Sequence, residues 1–388
     1  MDSSEPPQSP TLAPERKEAP GLPKSTPDPD EFPDGGFQAW LCIAGGWCTV
    51  FSSFGWGLLS GKLSDSYGPR WPLLLGSVMH VFGLMMVSIS TEYYQIFLAQ
   101  CVCSGIGTSF LFYPRTWFKR HRALAFGIMV SGSSMGGVVL PIMVSHLIET
   151  VGFGWSMRIT AFLILGLLIF GNIAVKSRLP PHPTPFVVKE YLVPFVEIPY
   201  LLLALGSLFV YLGAFLPFNF IIVQAKATGM PLYLTEYLVP IINAASIFGR
   251  ILPAHLGDVY GVFNVCIVFT LFSGIISLAL WLPAESTGPI IAFAVLYGFA
   301  SGLTLAIIPA LVAAISDIRK FGFRVGTLYA FSSFGALFGS PIAGAIVTSQ
   351  NGGYSGLKIF CGVMLIAGGI LIILSRIRLV GPGLLVKK

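Results

Sequence analysis

Apolar and polar stretches alternate along most of this chain in a pattern typical of membrane proteins. From Phe37 onward, short polar loops separate apolar segments of about 20 residues, the length that crosses the hydrocarbon core of a bilayer. Eleven segments are predicted to be membrane helices: 37–59, 72–90, 94–114, 123–147, 156–175, 199–224, 234–253, 262–282, 288–310, 325–348 and 356–375. The pattern therefore predicts an all-α polytopic membrane protein.

The basic residues of the loops indicate how these helices are oriented. If the loop at Gly61 is cytoplasmic, alternate loops and the C-terminus hold most of the Lys and Arg residues. The opposite face has only Arg158, Lys226 and Lys358. Because cytoplasmic loops of membrane proteins carry an excess of basic residues, we expect the loop at Gly61 and the C-terminus to be cytoplasmic.

Composition supports a membrane protein and excludes several other classes. With 54% hydrophobic residues, 10% charged residues and a mean hydropathy of +0.80, the chain has too little polar surface for a soluble globule of its size. The net charge is +6, but the basic residues lie in short loops between helices and form no continuous basic face. We therefore expect no nucleic acid partner. Nothing in the sequence suggests a metal, a cofactor or an enzymatic site, because paired carboxylates, a nucleophile with a base, and metal-ligand spacings are all missing.

The chain divides into two helical halves with polar segments around them. The predicted parts are an acidic, Pro-rich, disordered tail at 1–36, an N-terminal half at 37–175, a central linker at 176–198, a C-terminal half at 199–375, and a cytoplasmic tail at 376–388.

Two sequence matches indicate that the halves are related copies. Gly61 to Arg70 (GKLSDSYGPR) resembles Ala254 to Gly261 (AHLGDVYG), and both contain Asp-x-Tyr-Gly. A second set of matched residues is offset by 199 positions (326 minus 127): Gly127, Ser133, Ser134 and Gly136 fall opposite Gly326, Ser332, Ser333 and Gly335. Internal repeats of this kind are typical of secondary transporters.

The repeat also predicts that the N-terminal half is incomplete. In the C-terminal half, 59 residues separate position 199 from Asp258, whereas 28 separate position 37 from Asp65. About 30 residues, the length of one membrane helix with its loop, have no counterpart in the first half. The repeat therefore predicts twelve membrane spans, whereas the sequence has eleven.

These features resemble the major facilitator superfamily, in which a Gly-x-x-x-Asp-x-x-Gly-x-Arg loop follows the second helix. Asp34 to Trp40 (DGGFQAW) and Trp117 to Gly136 (WFKRHRALAFGIMVSGSSMG) resemble two signatures of its monocarboxylate porter family, especially the fungal branch. The resemblance implies a fold of two pseudo-symmetric helical halves that transports a small organic metabolite by alternating access.

Arg250 is the first candidate for contact with a substrate, because it is the one charged residue well inside a predicted span. Its position resembles that of the eighth-helix arginine that binds the substrate carboxylate in monocarboxylate porters. The acid expected one turn earlier is replaced by Ser246, and Asn243 is a further candidate for lining the cavity. Alternatively, Arg250 snorkels towards the Asp258 loop and belongs to a gate.

The two repeated loops are predicted to form a cytoplasmic latch between the halves, involving Gly61, Asp65, Gly68, Arg70 and Asp258. A carboxylate near a helix N-terminus is stabilised by the helix dipole, and breaking such a contact can accompany alternating access. Alternatively, these loops only fix folding and orientation.

Small residues and one histidine complete the set of candidates. Gly127, Gly132 and Gly136 predict a smooth face for close helix packing, which could also slide during a conformational change. His80, at the middle of a span, could relay a proton and so support proton coupling, or could simply bond to a neighbouring side chain.

We therefore predict a secondary active transporter of a small organic metabolite, with a carboxylate or a secondary metabolite as the candidate substrates. It is expected to act as a monomeric efflux protein in the lipid bilayer of the plasma membrane. The alternative is a membrane sensor that does not transport, or an inactive truncated transporter.

Overall fold

The computed structural model describes residues 37–52, 68–111, 118, 120–176, 188–317, 320–381 and 383. These residues are mostly helical, and none of them lies in a β-strand. The helices are α1 (Phe37–Ser52), α2 (Arg70–Val87), α3 (Tyr93–Leu111), α4 (Arg122–Ala174), α5 (Ile198–Ala227), α6 (Leu238–Tyr260), α7 (Val262–Trp281), α8 (Thr287–Ala314), α9 (Phe321–Ser349) and α10 (Ser355–Val380).

The longest helix, α4, is two membrane spans joined at one residue. It has 53 residues, which at about 1.5 Å per residue is more than twice the thickness of a bilayer core of about 30 Å. Gly152 interrupts it with φ 79° and ψ 167°, a left-handed conformation that glycine adopts without steric cost. We call residues 122–151 the first arm of α4 and residues 153–174 its second arm.

The described helices match the eleven predicted segments. Nine helices are long and apolar enough to cross a membrane, and α4 supplies a second span because of its break. The shorter apolar helix α1 corresponds to the first predicted segment, 37–59. Residues 53–67, where the repeat predicts the missing helix, lie outside the described part of the chain.

Proline explains where two spans bend. In α5 the helix is interrupted at Phe215, two residues before Pro217, and in α8 it is interrupted at Ile307, two residues before Pro309. Because proline lacks an N–H and its ring crowds the preceding turn, a helix ends or bends just before it.

The first and last helices of each half pack through small residues. In the N-terminal half, Gly45 of α1 faces the Ala174 side chain on the second arm of α4, and Gly171 of that arm faces Thr49. In the C-terminal half, Gly206 and Gly213 of α5 lie against the backbone of α10. Close approach of backbones through small residues is the usual way in which membrane helices associate.

Large apolar side chains cover the outside of the bundle. Trp71 is 69% exposed, Ile173 70% and Val268 61%, although all three lie on membrane-length helices. Such a surface would be unfavourable in water but suits contact with lipid acyl chains.

The helix ends lie close to the predicted domain boundaries, which stay predictions. The linker predicted at 176–198 contains a 3-10 helix at Val188–Val196, and α5 begins at Ile198. The tail is predicted from residue 376, and α10 continues to Val380. Arg376 is buried and its guanidinium donates to the carbonyl oxygen of Gly383 at 2.7 Å, which places a cation at the negative end of the helix.

Candidate functional site

In the described part of the chain, the most extensive contact between the halves is one antiparallel pair of helices, the first arm of α4 and α6. Three side chains of α6, those of Asn243, Ser246 and Arg250, and the carboxylate of Asp258 at its end all contact that arm. As the residue number on α6 rises from 243 to 258, the number of its partner on α4 falls from 137 to 123. We call this set of contacts the seam.

Arg250 lies at the centre of the seam and is only 5% exposed. Its Nη1 donates to the carbonyl oxygen of Val130 at 2.5 Å and to the hydroxyl of Ser133. Both partners are neutral. Among the described residues, the salt bridge of an arginine joins Arg324 to Glu197 at the N-terminus of α5 instead. The Arg250 guanidinium is therefore held across the interface between the halves with no acidic partner in the described part of the chain.

Ser246 and Asn243 extend the seam by one and two turns from Arg250. Ser246 Oγ lies 2.7 Å from Ser134 Oγ, and both serines are fully buried. Asn243 Nδ2 donates to the carbonyl oxygens of Gly137 at 3.5 Å and of Val239 at 3.1 Å. The structure thus brings the three predicted substrate-binding residues together on one face of α6, where all three contact α4.

Asp258 closes the seam at the N-terminus of α4. Its two carboxylate oxygens accept hydrogen bonds from the backbone N–H groups of Ala123 and Leu124, each at 2.9 Å. The first N–H groups of a helix have no partner within the helix, and the helix dipole favours a negative charge there. A carboxylate from one half therefore caps a helix of the other half.

The remaining latch residues are only partly described. Gly68 has φ 78°, and Arg70 is the first residue of α2. Gly61 and Asp65 lie outside the described residues. The gating role of all five residues stays a prediction.

The glycines of α4 allow the seam to close. Gly127, Gly132 and Gly136 are all buried. A Cβ atom at Gly127 would overlap the carbonyl oxygen of Arg250 and lie 2.8 Å from the Ala254 side chain. A Cβ at Gly137 would lie 2.6 Å from the amide carbon of Asn243. The helices are closer here than any larger side chain would permit.

The sequence did not single out Tyr211 and Tyr329 as polar groups that interact with Arg250. Tyr211 on α5 and Tyr329 on α9 both interact electrostatically with Arg250. Within the described residues, Tyr211 Oη, Ser332 Oγ and Arg250 Nε are buried and have no hydrogen-bond partner. A tyrosine in an apolar helix is a usable signal, because its hydroxyl normally has a partner when it is buried.

His80, the candidate proton relay, lies apart from the seam. Its Nδ1 is 2.6 Å from the hydroxyl of Ser104, between α2 and α3 of the N-terminal half. Proton coupling stays a prediction. In the described part of the chain, no group of three or more His, Cys, Asp or Glu residues could hold a metal ion.

Comparison with known families decides the class of protein. Residues 33–290 and 203–383 both match the sequence model described as Major Facilitator Superfamily. The chain belongs to the major facilitator superfamily. It is a multi-pass membrane transporter of the all-α major facilitator fold, and it is not an enzyme.

Relatives and solved structures agree with this membership. "MFS-type transporter 1" from an Ophiocordyceps species is 47% identical, over 93% of this chain and 90% of its own length. "Fujikurins efflux protein" from Gibberella fujikuroi is 36% identical, over 89% of this chain and 83% of its own length. The crystal structure of the human organic anion transporter MFSD10 has the same fold, with a TM-score of 0.66 at 15% identity, over 86% of this chain and 82% of that one.

One detail of the first alignment bears on the incomplete half. The alignment with the Ophiocordyceps transporter is 403 positions long. It includes only 93% of the 388 residues of the present chain, so the remaining positions are gaps in this chain. The Ophiocordyceps transporter therefore contains segments that have no counterpart here.

Proposed function

We propose that this transporter exports an organic anion with an apolar body, and that Arg250 binds its acidic group. The observation that carries the proposal is a buried guanidinium held between the halves, whose partners among the described residues are neutral. A buried charge is stable only when it is paired or hydrogen-bonded, and inside a membrane protein it marks a substrate or ion pathway.

The chemistry of the guanidinium favours a carboxylate. Arginine forms two parallel hydrogen bonds with a carboxylate, and these bonds are about twice as strong as neutral ones. An anionic substrate can therefore replace the Val130 carbonyl oxygen and the Ser133 hydroxyl as the partner of Arg250. Because those two groups belong to the opposite half, exchanging them weakens the seam while the substrate binds.

The Asp258 cap provides the second part of the cycle. Opening this end requires both bonds to Ala123 and Leu124 to break, which exposes the end of α4 to water. We infer that Gly61, Asp65, Gly68 and Arg70 form the corresponding latch against α9, by analogy with the repeat. The excess of basic residues in the adjoining loops puts this end in the cytoplasm.

The names of two relatives support export, which we expect to cross the plasma membrane. A protein named for the efflux of fujikurins is among them, and a second is named Agnestins efflux protein. Together with the two sequence signatures, Arg250 favours the monocarboxylate porter branch. We expect a monomer, because each chain contains both halves of the seam.

The alternative of a non-transporting sensor or inactive truncation is less well supported. The transporter relative from Ophiocordyceps aligns with nine-tenths of its length, and the seam between the halves is intact in the described residues.

A flux assay tests the proposal. Proteoliposomes loaded with naphthoate, a fluorescent aromatic carboxylate, should lose it faster than the neutral isostere naphthamide. Arg250→Ala should lower naphthoate flux about 30-fold or more, since hydrogen bonds to charged groups contribute about 1.5–3 kcal/mol each. Arg378→Ala, which removes an exposed basic residue at the end of α10, is the matched control and should transport normally. Wild-type protein that moves both probes equally, or neither, would contradict the proposal.

A further inference from the structure

Buried polar atoms on three helices are left without hydrogen-bond partners. Tyr211 Oη from α5, Ser332 Oγ from α9 and Arg250 Nε from α6 all lack a hydrogen-bond partner in the part of the chain that the structure describes. A buried polar group left without a partner destabilises the folded protein. Two hydroxyls and the Nε of the guanidinium are therefore groups that a bound ligand can satisfy.

The packing of α5 against α9 keeps two of these groups together. A Cβ at Gly335 of α9 would lie 3.1 Å from the Cβ of Tyr211. Ser332 is one helical turn before Gly335, and Tyr329 is one turn before Ser332. Tyr329 interacts electrostatically with both Tyr211 and Arg250, which connects α5, α6 and α9 at one level of the bundle.

The donors at this level define the charge of the ligand. The Tyr and Ser hydroxyls can donate, and the guanidinium can only donate. A ligand that satisfies all three needs several acceptor lone pairs, which a carboxylate or an enolate offers together with a negative charge. Such a ligand would also neutralise Arg250, with which no acid of the described residues forms an ion pair.

The surroundings define the rest of the ligand. Tyr211 packs edge-on against Phe215, with ring centroids 5.6 Å apart, and Phe215 packs against Phe218 at 6.4 Å. These rings continue from Tyr211 along α5. They offer an aromatic surface next to the three donors, which suits a planar apolar body attached to the acidic group.

We propose that Tyr211 and Ser332 are substrate-recognition residues, which bind the acidic group of an aromatic organic anion together with Arg250. This inference rests on the proposed function and adds the residues that recognise the substrate. The alternative is that both residues serve packing alone.

Conservative variants with matched controls separate these two roles. Tyr211→Phe and Ser332→Ala remove only the unpartnered hydroxyls. Their controls are Tyr297→Phe, whose hydroxyl donates to the Ala214 carbonyl oxygen at 2.9 Å, and Ser333→Ala, whose hydroxyl donates to the Ala330 carbonyl oxygen at 2.6 Å. The probe is naphthoate, and the readouts are its affinity for purified protein in lipid nanodiscs and the melting temperature without ligand.

We expect Tyr211→Phe and Ser332→Ala each to weaken naphthoate binding about 10-fold or more, the usual effect of losing one hydrogen bond to a charged group. Neither change should lower the melting temperature, because no bond within the protein is lost. Tyr297→Phe should show the opposite pattern, with a lower melting temperature and unchanged affinity. A lower melting temperature with unchanged affinity for Tyr211→Phe would overturn the inference.

Failure of the inference can be distinguished from failure of the proposed function. If Arg250→Ala abolishes naphthoate binding while Tyr211→Phe and Ser332→Ala bind like wild type, the proposed function stands and the inference is wrong. If wild-type protein binds naphthoate and naphthamide equally, the proposed function itself is wrong.

Discussion

The first arm of α4 and helix α9 carry the same sequence motif but use it differently. In α4, Ser133 accepts a hydrogen bond from Arg250, and Ser134 lies 2.7 Å from Ser246 of the other half. In α9, the hydroxyl of the corresponding Ser332 has no partner among the described residues, and Ser333 donates to its own helix. The glycines, by contrast, serve close packing in both helices.

The difference shows that the repeat determines the shape of a helix surface, whereas the facing helix determines its chemistry. The residue 193 positions before Arg250, the offset of the two loop motifs, is Gly57. An arginine therefore faces the small-residue surface of α4, and the repeat provides none for α9. In the described part of the chain, the Ser332 hydroxyl of α9 is left without a partner.

The largest expected effect is a loss of stability when a methyl group is added at Gly127 or Gly335, two glycines of the repeated motif. Gly127→Ala should lower the free energy of unfolding by about 3 kcal/mol, because the new methyl group overlaps backbone that cannot move easily. Gly335→Ala should have a similar effect, since its Cβ would overlap the Leu208 carbonyl oxygen. Unfolding in SDS titrations measures both. Gly166→Ala, which has no atom within 4 Å of its Cβ, is the control, and equal stability of all three variants would contradict the shared packing role.

Removing the Asp258 cap should have the next largest effect. Asp258→Ala should lower the free energy of unfolding by about 1–2 kcal/mol, the usual range for the loss of a helix N-cap. Amide hydrogen exchange at Ala123 and Leu124 should be about 10-fold faster, because both N–H groups lose their acceptor. Glu236→Gln changes an exposed acid outside the seam and should leave exchange unaltered. Protection that persists in Asp258→Ala would show that the carboxylate does not hold the end of α4.

The serines test the comparison directly. Ser133→Ala should lower the free energy of unfolding by about 1–2 kcal/mol, because Arg250 loses one of its two acceptors. The equivalent Ser332→Ala should be neutral or slightly stabilising, since it removes a hydroxyl that has no partner in the described structure. The same SDS titration compares the pair, and equal losses would mean that the two helices use their serines alike.

The smallest effect is expected for the neutral contact between Ser134 and Ser246. A double-mutant cycle of the two alanine variants should give a coupling energy of about 0.6 kcal/mol, the average for hydrogen bonds between membrane helices. The pair Ser333 and Ser246 serves as the control and should give no coupling. A coupling energy near zero for Ser134 and Ser246 would show that this contact does not stabilise the seam.

Much of the fold was predictable because membrane helices are encoded by local features. The eleven apolar segments follow from length and composition, and the fold class is confirmed. Arg250 and Asp258 stood out because charge is rare in this chain. The sequence could not tell which groups these residues would contact, since Val130, Ala123 and Leu124 contribute only backbone atoms that every residue possesses.

Other features depend on packing between distant segments and were not predictable. Lys358 was predicted on the face opposite the Gly61 loop, but the sequence did not show that it is buried and donates to the carbonyl oxygens of Leu282 and Ala284. Tyr211 looks like any aromatic residue of an apolar helix. Its significance appears only when α5, α6 and α9 are brought together.

The central claim is that an anionic substrate replaces the α4 groups that are hydrogen-bonded to Arg250. The loss of these bonds then opens the seam. The most direct test is a distance measurement by pulsed electron spin resonance, with spin labels at Arg120→Cys and His255→Cys, two exposed positions beside the Asp258 cap. The exposed Cys101 should first be replaced by serine. We predict that naphthoate populates a second, longer distance in this protein and not after Arg250→Ala. A single distance that is unchanged by naphthoate would contradict the account.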